Sequence, residues 1–329
     1  LKEYIMAKEN MQEKPTIETK EDKDALELVT LKELYGKSLK SVINVEEEKH
    51  KELKPILQRI ADQHKSILMS FIAPWGGKKV NPYDTIRASI RISEEFGVEK
   101  AISDIKAELK EREITGKNNL MLLVNSPGGA VDSSYIVSKM IRDNFDSIRI
   151  FIPHRAASGG TLLALAGNEI VMGAMSRLSP LDTQIGYKGE TVSAQSYRRA
   201  IERFEDYFKD KNPYEVPYVW KALAEKFDPI LREEWDTELD EIFNYVYQIM
   251  KKSGYKEEDI NWVGFQLIFT QFPHSFVIDR DRAENNLHLN VKKDTDYPFL
   301  WEAMKVWYSI HLMTAESKHI IRYVVPSKT

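Results

Sequence analysis

The sequence predicts an α/β fold in which parallel strands alternate with crossover helices. Short apolar runs of strand length occur at residues 66–73, 119–124, 148–153 and 169–172. Strands that alternate with helical segments at this spacing are typical of a parallel sheet covered by helices. Two further observations predict what lies on either side of this α/β core. Residues 1–65 are rich in charge and poor in aromatic side chains, and the chain after about residue 186 has mostly helical patterning.

Composition excludes several classes of protein. The chain has 329 residues, and 47 Lys and Arg against 51 Asp and Glu give a net charge of −4, which argues against a dedicated nucleic-acid binder. It has no cysteine, so a disulfide framework, a thiolate metal site and a cysteine nucleophile are all excluded. No apolar run approaches the ~18–20 residues of a transmembrane helix, and the charged start lacks the apolar core of a signal peptide. These features predict a cytoplasmic protein.

The patterning divides the chain into three parts. Residues 1–65 are expected to be flexible at first and then to form amphipathic helices, which need a partner surface either on their own core or in an oligomer. Residues 66–190 form the predicted α/β core. Residues 191–329 are expected to be mainly helical, to complete the core and to make oligomer contacts. Further helices are predicted at 84–96, 98–111, 130–145, 159–166, 194–208, 217–227, 229–252, 257–269 and within 303–319.

Two glycine-containing turns are the strongest candidates for a functional site. Asn125–Gly129 has the sequence NSPGG, and residues 156–160 have the sequence AASGG; each follows a predicted strand and precedes a helix. Such turns direct backbone N–H groups toward a ligand, and glycine lets the backbone approach it closely. Two of them on neighbouring strands can face one point, where one offers a nucleophilic serine and the other offers oxyanion donors.

At these residues the sequence resembles a known superfamily. The strings VNSPGG at 124–129, AASGGT at 156–161, ALAGNEIVMG at 164–173 and SRLSPLDTQ at 176–184 resemble the Clp protease/crotonase superfamily. Within it, the chain looks most like the serine dehydrogenase proteinase family, ClpP-class serine peptidases related to signal peptide peptidase A. The strong resemblance covers residues 115–186, and a weaker one covers residues 274–291.

The resemblance implies a fold and a set of site residues. The fold would be a ClpP/crotonase-like spiral of ββα units with helical additions at both ends. Ser158 would be the nucleophile, and Gly128, Gly129 and Gly159 would supply the oxyanion N–H groups. No metal or organic cofactor is implied. Superfamily members usually form oligomers, so a homo-oligomer is expected, and a regulatory protein partner is possible.

The general base has more than one candidate. The stretch after the nucleophile, where the Clp protease has its histidine, contains Asp182 and no histidine, while His274 occupies the later position of the Clp aspartate. The two partners are exchanged, as in the serine dehydrogenase proteinase family, which gives a triad of Ser158, His274 and Asp182. Chain order is no obstacle, because triads are defined by geometry. His154 is an alternative base, as is a lysine in a Ser–Lys dyad. The available lysines are Lys188, Lys209 and Lys211.

The function expected from these residues is that of an intracellular serine peptidase. It would hydrolyse peptides or unfolded protein through an acyl-enzyme on Ser158. The main alternative is a catalytically inactive scaffold that keeps the fold, binds a peptide or partner protein and oligomerises, because a fold does not fix a function. An acyl-CoA-handling crotonase is a weaker alternative, since the AASGGT string favours peptidase ancestry.

Overall fold

The computed structural model describes most of the chain. The described residues are 28–33, 46–73, 89–116, 118–187, 190–212, 214–226, 228–270, 275–312 and 319–328. The expectations for residues 1–27 and 84–88, and the candidate residues Lys188 and His274, lie outside these ranges.

Helices and strands alternate in the first half of the chain, and helices dominate the second half. The helices are α1 (Glu46–His64), α2 (Ile92–Glu111), α3 (Val131–Asn144), α4 (Gly159–Ala164), α5 (Ala194–Phe208), α6 (Tyr218–Ala224), α7 (Pro229–Lys252), α8 (Glu257–Ile268), α9 (Arg280–Asn285) and α10 (Pro298–Leu312). The strands are β1 (Ser66–Ile72), β2 (Asn119–Asn125), β3 (Ser147–Ile152), β4 (Arg155–Ala156), β5 (Glu169–Met172), β6 (Arg177–Leu178), β7 (Gln184–Tyr187), β8 (Glu190–Ser193), β9 (Val291–Lys293) and β10 (Ile320–Val324).

A six-stranded sheet organises these elements, with strand order β10-β1-β2-β3-β5-β9. The strands from β1 to β9 in this order run parallel, and β10 pairs antiparallel with β1. The parallel strands and their crossover helices confirm the α/β fold predicted from the alternating pattern. The carboxyl ends of β1, β2 and β3 therefore lie at one edge of the sheet, where ligands of open α/β sheets usually bind.

Both faces of the sheet are buried, which explains why its strands read as continuous apolar runs. Along β2, Leu120, Leu122 and Val124 belong to the core on one face, while Met121 and Leu123 belong to the core on the other. The first face, called here the front, carries α2, α3, α4, α7 and α8. The second, called the back, carries α1 and α10. The result is a three-layer structure in which the sheet is the middle layer.

The predicted helices are mostly found, with one correction. Residues 84–96 and 98–111 were expected to form two helices separated at Gly97, but a single helix, α2, runs through Gly97 from Ile92 to Glu111. A side chain at Gly97 would lie 2.9 Å from the Ile321 Cδ1 atom of β10. Gly97 therefore makes room for the edge strand and does not end a helix. Strand β10 and the β7–β8 hairpin were not predicted.

The back face should depend on its largest buried side chain. Trp307 of α10 is fully buried, whereas Trp262 of α8 is 43% exposed. Trp307→Ala should lower the free energy of unfolding by about 3–5 kcal/mol because it leaves a large cavity. Trp262→Ala should cost no more than about 1–2 kcal/mol, from a partly exposed ring and one hydrogen bond. Urea unfolding of both variants measures this, and equal losses would contradict the packing described here.

Candidate active site

The two glycine-containing turns meet at one edge of the sheet. Strands β2 and β3 are parallel neighbours, so the turns that follow them begin side by side. Backbone hydrogen bonds join the turns directly. The Ser126 amide donates to the Arg155 carbonyl at 3.0 Å, and the Ala157 amide donates to the Ser126 carbonyl at 3.0 Å. This pairing fixes the position of one turn relative to the other.

Ser158 has a strained backbone at the start of α4. Its φ is 50° and its ψ is −123°, a left-handed conformation that non-glycine residues rarely adopt. Such a residue costs on the order of 1–3 kcal/mol and persists only where its surroundings hold it in place. The Ser158 amide donates to the Ser179 side-chain oxygen at 2.8 Å, and its carbonyl accepts from the Thr161 amide at 2.6 Å. The residue stays partly exposed at the end of a sharp strand-to-helix turn.

Gly128 lies against the Ser158 turn so closely that only glycine fits. Its φ is 95°, and a Cβ atom there would lie 2.6 Å from the Ala157 carbonyl oxygen and 2.7 Å from the Ser158 Cβ atom. The same Cβ would lie 2.8 Å from the Gly159 nitrogen. A Cβ on Gly159 would lie 3.4 Å from the Gly129 nitrogen. The backbone of Gly128 therefore contacts the Ser158 turn directly, and the backbones of Gly129 and Gly159 lie close to each other beside it.

The amides of the three glycines differ in whether they already have a hydrogen-bond acceptor. The Gly128 amide donates to the Ser126 hydroxyl at 3.1 Å and is thus already engaged. The Gly129 and Gly159 amides donate to no residue within the described part of the chain. Glycine amides beside a partly exposed serine are the groups that an oxyanion hole requires.

The segment after α4 supports the serine from the other side. Ser179 accepts the Ser158 amide and is itself fixed to Thr161, whose hydroxyl accepts from the Ser179 amide at 3.1 Å. Asp182 follows three residues later and is buried, with 6% of its surface exposed. The structure thus places Asp182 on the same short segment that holds the Ser158 turn.

His274 lies outside the described residues, but both of its flanks are bound to the Asp182 segment. On one side, Leu178 and Ile278 exchange two backbone hydrogen bonds of 2.8 and 3.0 Å as an antiparallel bridge. On the other side, the Leu181 amide donates to the Leu267 carbonyl at 2.9 Å. The connection that contains His274 therefore begins and ends beside the segment that carries Asp182.

His154, the alternative base, has a different partner. Its Nε2 atom lies 3.0 Å from the Arg177 Nη2 atom, and it lines a cavity of about 150 Å³ together with Asn125, Arg155 and Arg177. Burial, and then the charges of Arg177 and Arg155, lower the pKa of His154 below its usual value. The ring is therefore neutral at pH 7, but its described polar contact is with arginine and not with Ser158.

The described lysine candidates do not have the environment of a base. Lys209 and Lys211 are exposed just after α5, and the Lys211 ammonium lies 3.1 Å from the centre of the Tyr207 ring. A lysine must be desolvated to be neutral near pH 7. Lys209 and Lys211 are both exposed and therefore lack the desolvated environment that a Ser–Lys dyad requires.

A buried histidine that the sequence did not single out contacts the glycine turn. The His319 Nε2 atom lies 2.9 Å from the Ser126 Oγ atom, although 193 positions separate the two residues in the chain. No local pattern indicates this contact, because it depends on the antiparallel pairing of β10 with β1. The sequence also provided no signal for Ser134 and Ser179. Each contacts the 156–160 turn only through tertiary packing, which no local pattern indicates.

The described residues contain neither a metal-binding cluster nor a membrane-spanning helix. No group of His, Asp and Glu side chains there is arranged to hold a metal ion. None of the described helices combines the length and the apolar character needed to cross a membrane.

The family of the chain follows from a match to a family model. The model described as ClpP-like SDH-type serine proteinase matches residues 100–328, a range that includes both glycine turns, Ser158, Asp182 and His274. The chain belongs to this family. The match confirms the resemblance seen in the sequence and, with the sheet and helices described above, the ClpP-like α/β fold.

Relatives of this chain occur in Methanocaldococcus jannaschii. The uncharacterized protein MJ0137 is 26% identical over 207 residues, which are 61% of this chain and 60% of the relative. The uncharacterized protein MJ1495 is 33% identical over 85 residues, which are 26% of this chain and 29% of the relative. This chain therefore spans less than two thirds of the length of either relative.

Among solved structures, this chain is similar to a variant of 1510-N, a membrane-bound stomatin-specific protease. The TM-score is 0.40 at 12% identity, and the match covers 70% of this chain and 89% of the other. Membership of the SDH-type family rests on the family model and not on this comparison.

The fit of Gly128 can be tested against a second glycine of positive φ. Gly116 has a φ of 121° and open space around it, whereas Gly128 has a φ of 95° and backbone atoms within 3 Å of an added Cβ. Gly116→Ala should cost only the backbone strain, about 1–3 kcal/mol in the free energy of unfolding. Gly128→Ala should cost clearly more, because the two turns must also separate. Denaturant unfolding measures both, and equal costs would show that the turns are not in contact.

Proposed function

We propose that this SDH-type family member is a serine peptidase that hydrolyses peptides or unfolded protein through an acyl-enzyme on Ser158. The observation that carries the proposal is the strained Ser158 turn packed against Gly128, with the amides of Gly129 and Gly159 beside it. Strain of this kind, held by a hydrogen bond that the Ser158 amide donates to the Ser179 hydroxyl oxygen, is typical of functional positions.

The reaction would proceed in two steps. The Ser158 hydroxyl attacks the scissile carbonyl while its proton passes to a base, and the carbonyl oxygen becomes an oxyanion bound by the Gly129 and Gly159 amides. The base then protonates the leaving amine, the C–N bond breaks and an ester on Ser158 remains. Water, deprotonated by the same base, hydrolyses this ester and restores the serine. No metal or cofactor takes part in the proposed reaction.

We assign the base to His274, oriented by Asp182. The support is topological: Leu267 and Ile278, on either side of His274, are both hydrogen-bonded to the segment between Leu178 and Leu181. Asp182 follows that segment immediately. A buried carboxylate next to a histidine would fix the orientation of the ring and stabilise its charged form, which is the role of the third member of a triad.

Gly128 has a different role in this scheme from the one the sequence suggested. Its amide donates to Ser126, so it supports the oxyanion turn by its close approach to Ser158 and not by binding the oxyanion itself. A cytoplasmic location, a homo-oligomeric state and a regulatory protein partner stay predictions of the sequence.

Labelling with a fluorophosphonate probe, followed by intact-mass measurement, tests the proposal. Ser158→Ala should abolish labelling, while Ser196→Ala, which changes an exposed serine on α5, should leave it unchanged. His274→Ala and Asp182→Ala should each slow labelling by about 10²–10⁴-fold, since the serine then lacks an oriented base.

Matched controls separate the possible outcomes. His288→Ala changes an exposed histidine and should have no effect. Labelling that survives His274→Ala would move the base to His154, which His154→Ala then checks. A wild-type protein that shows no labelling and no peptide hydrolysis would favour the scaffold that binds a peptide or partner without cleaving it.

A further inference from the structure

A chain of buried polar contacts lies behind the oxyanion turn. The Gly128 amide donates to the Ser126 Oγ atom at 3.1 Å, and the same oxygen lies 2.9 Å from the His319 Nε2 atom. The His319 Nδ1 atom lies 3.6 Å from a carboxylate oxygen of Glu94, a distance that allows electrostatic attraction without a direct hydrogen bond. Ser126 is fully buried, and Glu94 and His319 expose 3% and 4% of their surfaces.

The protonation states determine which group donates and which accepts in each of these polar contacts. Burial lowers the pKa of His319, and the charge of Glu94 opposes the shift only in part, so the ring is neutral at pH 7. Burial alone would raise the pKa of Glu94, but its interactions with His319, whose backbone amide donates to it at 3.4 Å, and with the Ser93 hydroxyl hold it below its usual value. The carboxylate favours a proton on Nδ1, which leaves Nε2 to accept the Ser126 hydroxyl. The Ser126 oxygen is then oriented to accept from the Gly128 amide.

The same carboxylate also connects to the opposite side of the turn. Glu94 caps helix α2, where its second oxygen accepts from the Arg91 amide at 3.0 Å and from the Ser93 hydroxyl at 2.7 Å. Directly before this cap, the Ile90 amide donates to the Gly128 carbonyl at 2.8 Å. The Gly128 residue is therefore held at its carbonyl by the start of α2 and at its amide by Ser126 and His319.

We propose that His319 is a positioning residue that fixes the oxyanion turn through the Ser126 hydroxyl. This proposal rests on the proposed function, in which the Gly129 amide binds the oxyanion, because Gly129 follows directly on the residue that is held. An oxyanion donor acts only if it is preorganised at the correct distance from the developing charge. His319 and Ser126 form no second active site, since neither side chain is accessible to a substrate.

The stacking of His319 supports a role in fixing position. Its ring lies 4.3 Å from the ring of Phe71 at an angle of 26°, which sets the plane of the imidazole. Phe71 belongs to β1, the strand that pairs with β10, so the ring is oriented by the sheet itself. A rigid ring can impose one direction on the Ser126 hydroxyl, whereas a mobile side chain cannot.

Kinetics of fluorophosphonate labelling test the proposal, with the maximal rate and the half-saturating probe concentration measured separately. His319→Leu and Ser126→Ala should each lower the maximal rate by about 10- to 100-fold while the half-saturating concentration changes little. The double variant should be no slower than the slower single variant, because both changes break one chain of contacts. His319→Gln, which can offer an acceptor near the position of Nε2, should restore most of the rate.

His311→Leu is the matched control. His311 is equally buried, with 1% of its surface exposed, but it lies in α10 on the back face. This variant should lose stability without a selective loss of maximal labelling rate. Maximal rates for folded Ser126→Ala and His319→Leu within about threefold of wild type, with Ser158→Ala still inactive, would overturn the proposal.

Hydrogen exchange of the segment 124–130 keeps the test independent of the peptidase assignment. Ser126→Ala and His319→Leu should speed exchange of the Gly128 amide by about tenfold or more, because that amide loses an oriented acceptor. His311→Leu should leave it unchanged. If the wild type is never labelled, the proposed function fails. Faster exchange in the two variants would still support the fixing of the turn by His319, and unchanged exchange would overturn it.

Discussion

The approach of Gly128 to the backbone of residues 157–159 is the constraint on which the rest of the site depends. It requires β2 and β3 to be parallel neighbours in one register, since a shift of one residue would separate the two turns. It requires glycine, because an added Cβ would lie within 3 Å of three atoms. It also helps to hold Ser158 in a conformation that the residue would leave if it were free. Strain at the serine and tight packing at the glycine thus support one another.

Residues from distant parts of the sequence reach this point because the sheet brings strand ends together. Ser126 and Ser158 follow neighbouring parallel strands, and Glu94 lies at the start of the helix that precedes β2. His319 lies near the C-terminal end of the sequence, directly before β10, and β10 pairs antiparallel with β1. A parallel sheet orders its carboxyl ends in a row, and a final antiparallel strand starts at that same edge. The topology alone therefore explains why the last strand can support the first glycine turn.

The parts of the structure that the sequence predicts are those with local signals. The buried strands, the long helix Pro229–Lys252 and both glycine turns follow from apolar runs, helical periodicity and turn residues within a few positions of each other. Strand β10 and the contact of His319 with Ser126 have no such signal, because they depend on partners about 190 to 250 positions away. At Gly97, packing overrides a local signal. The glycine predicts a break between two helices, but it lies inside α2, where its missing side chain makes room for Ile321 of β10.

The exchanged order of Asp182 and His274 is compatible with the proposed triad, because residues on either side of His274 are hydrogen-bonded to the segment that precedes Asp182. The antiparallel bridge between Leu178 and Ile278 places one segment beside the other. Asp182 follows its bridge residue Leu178 by four positions, and His274 precedes Ile278 by four positions along the chain. Either segment can then supply the base or the carboxylate without a change in the sheet. The register of β2 and β3 constrains the proposed nucleophile and oxyanion turn much more strongly, because the two turns directly follow these paired strands.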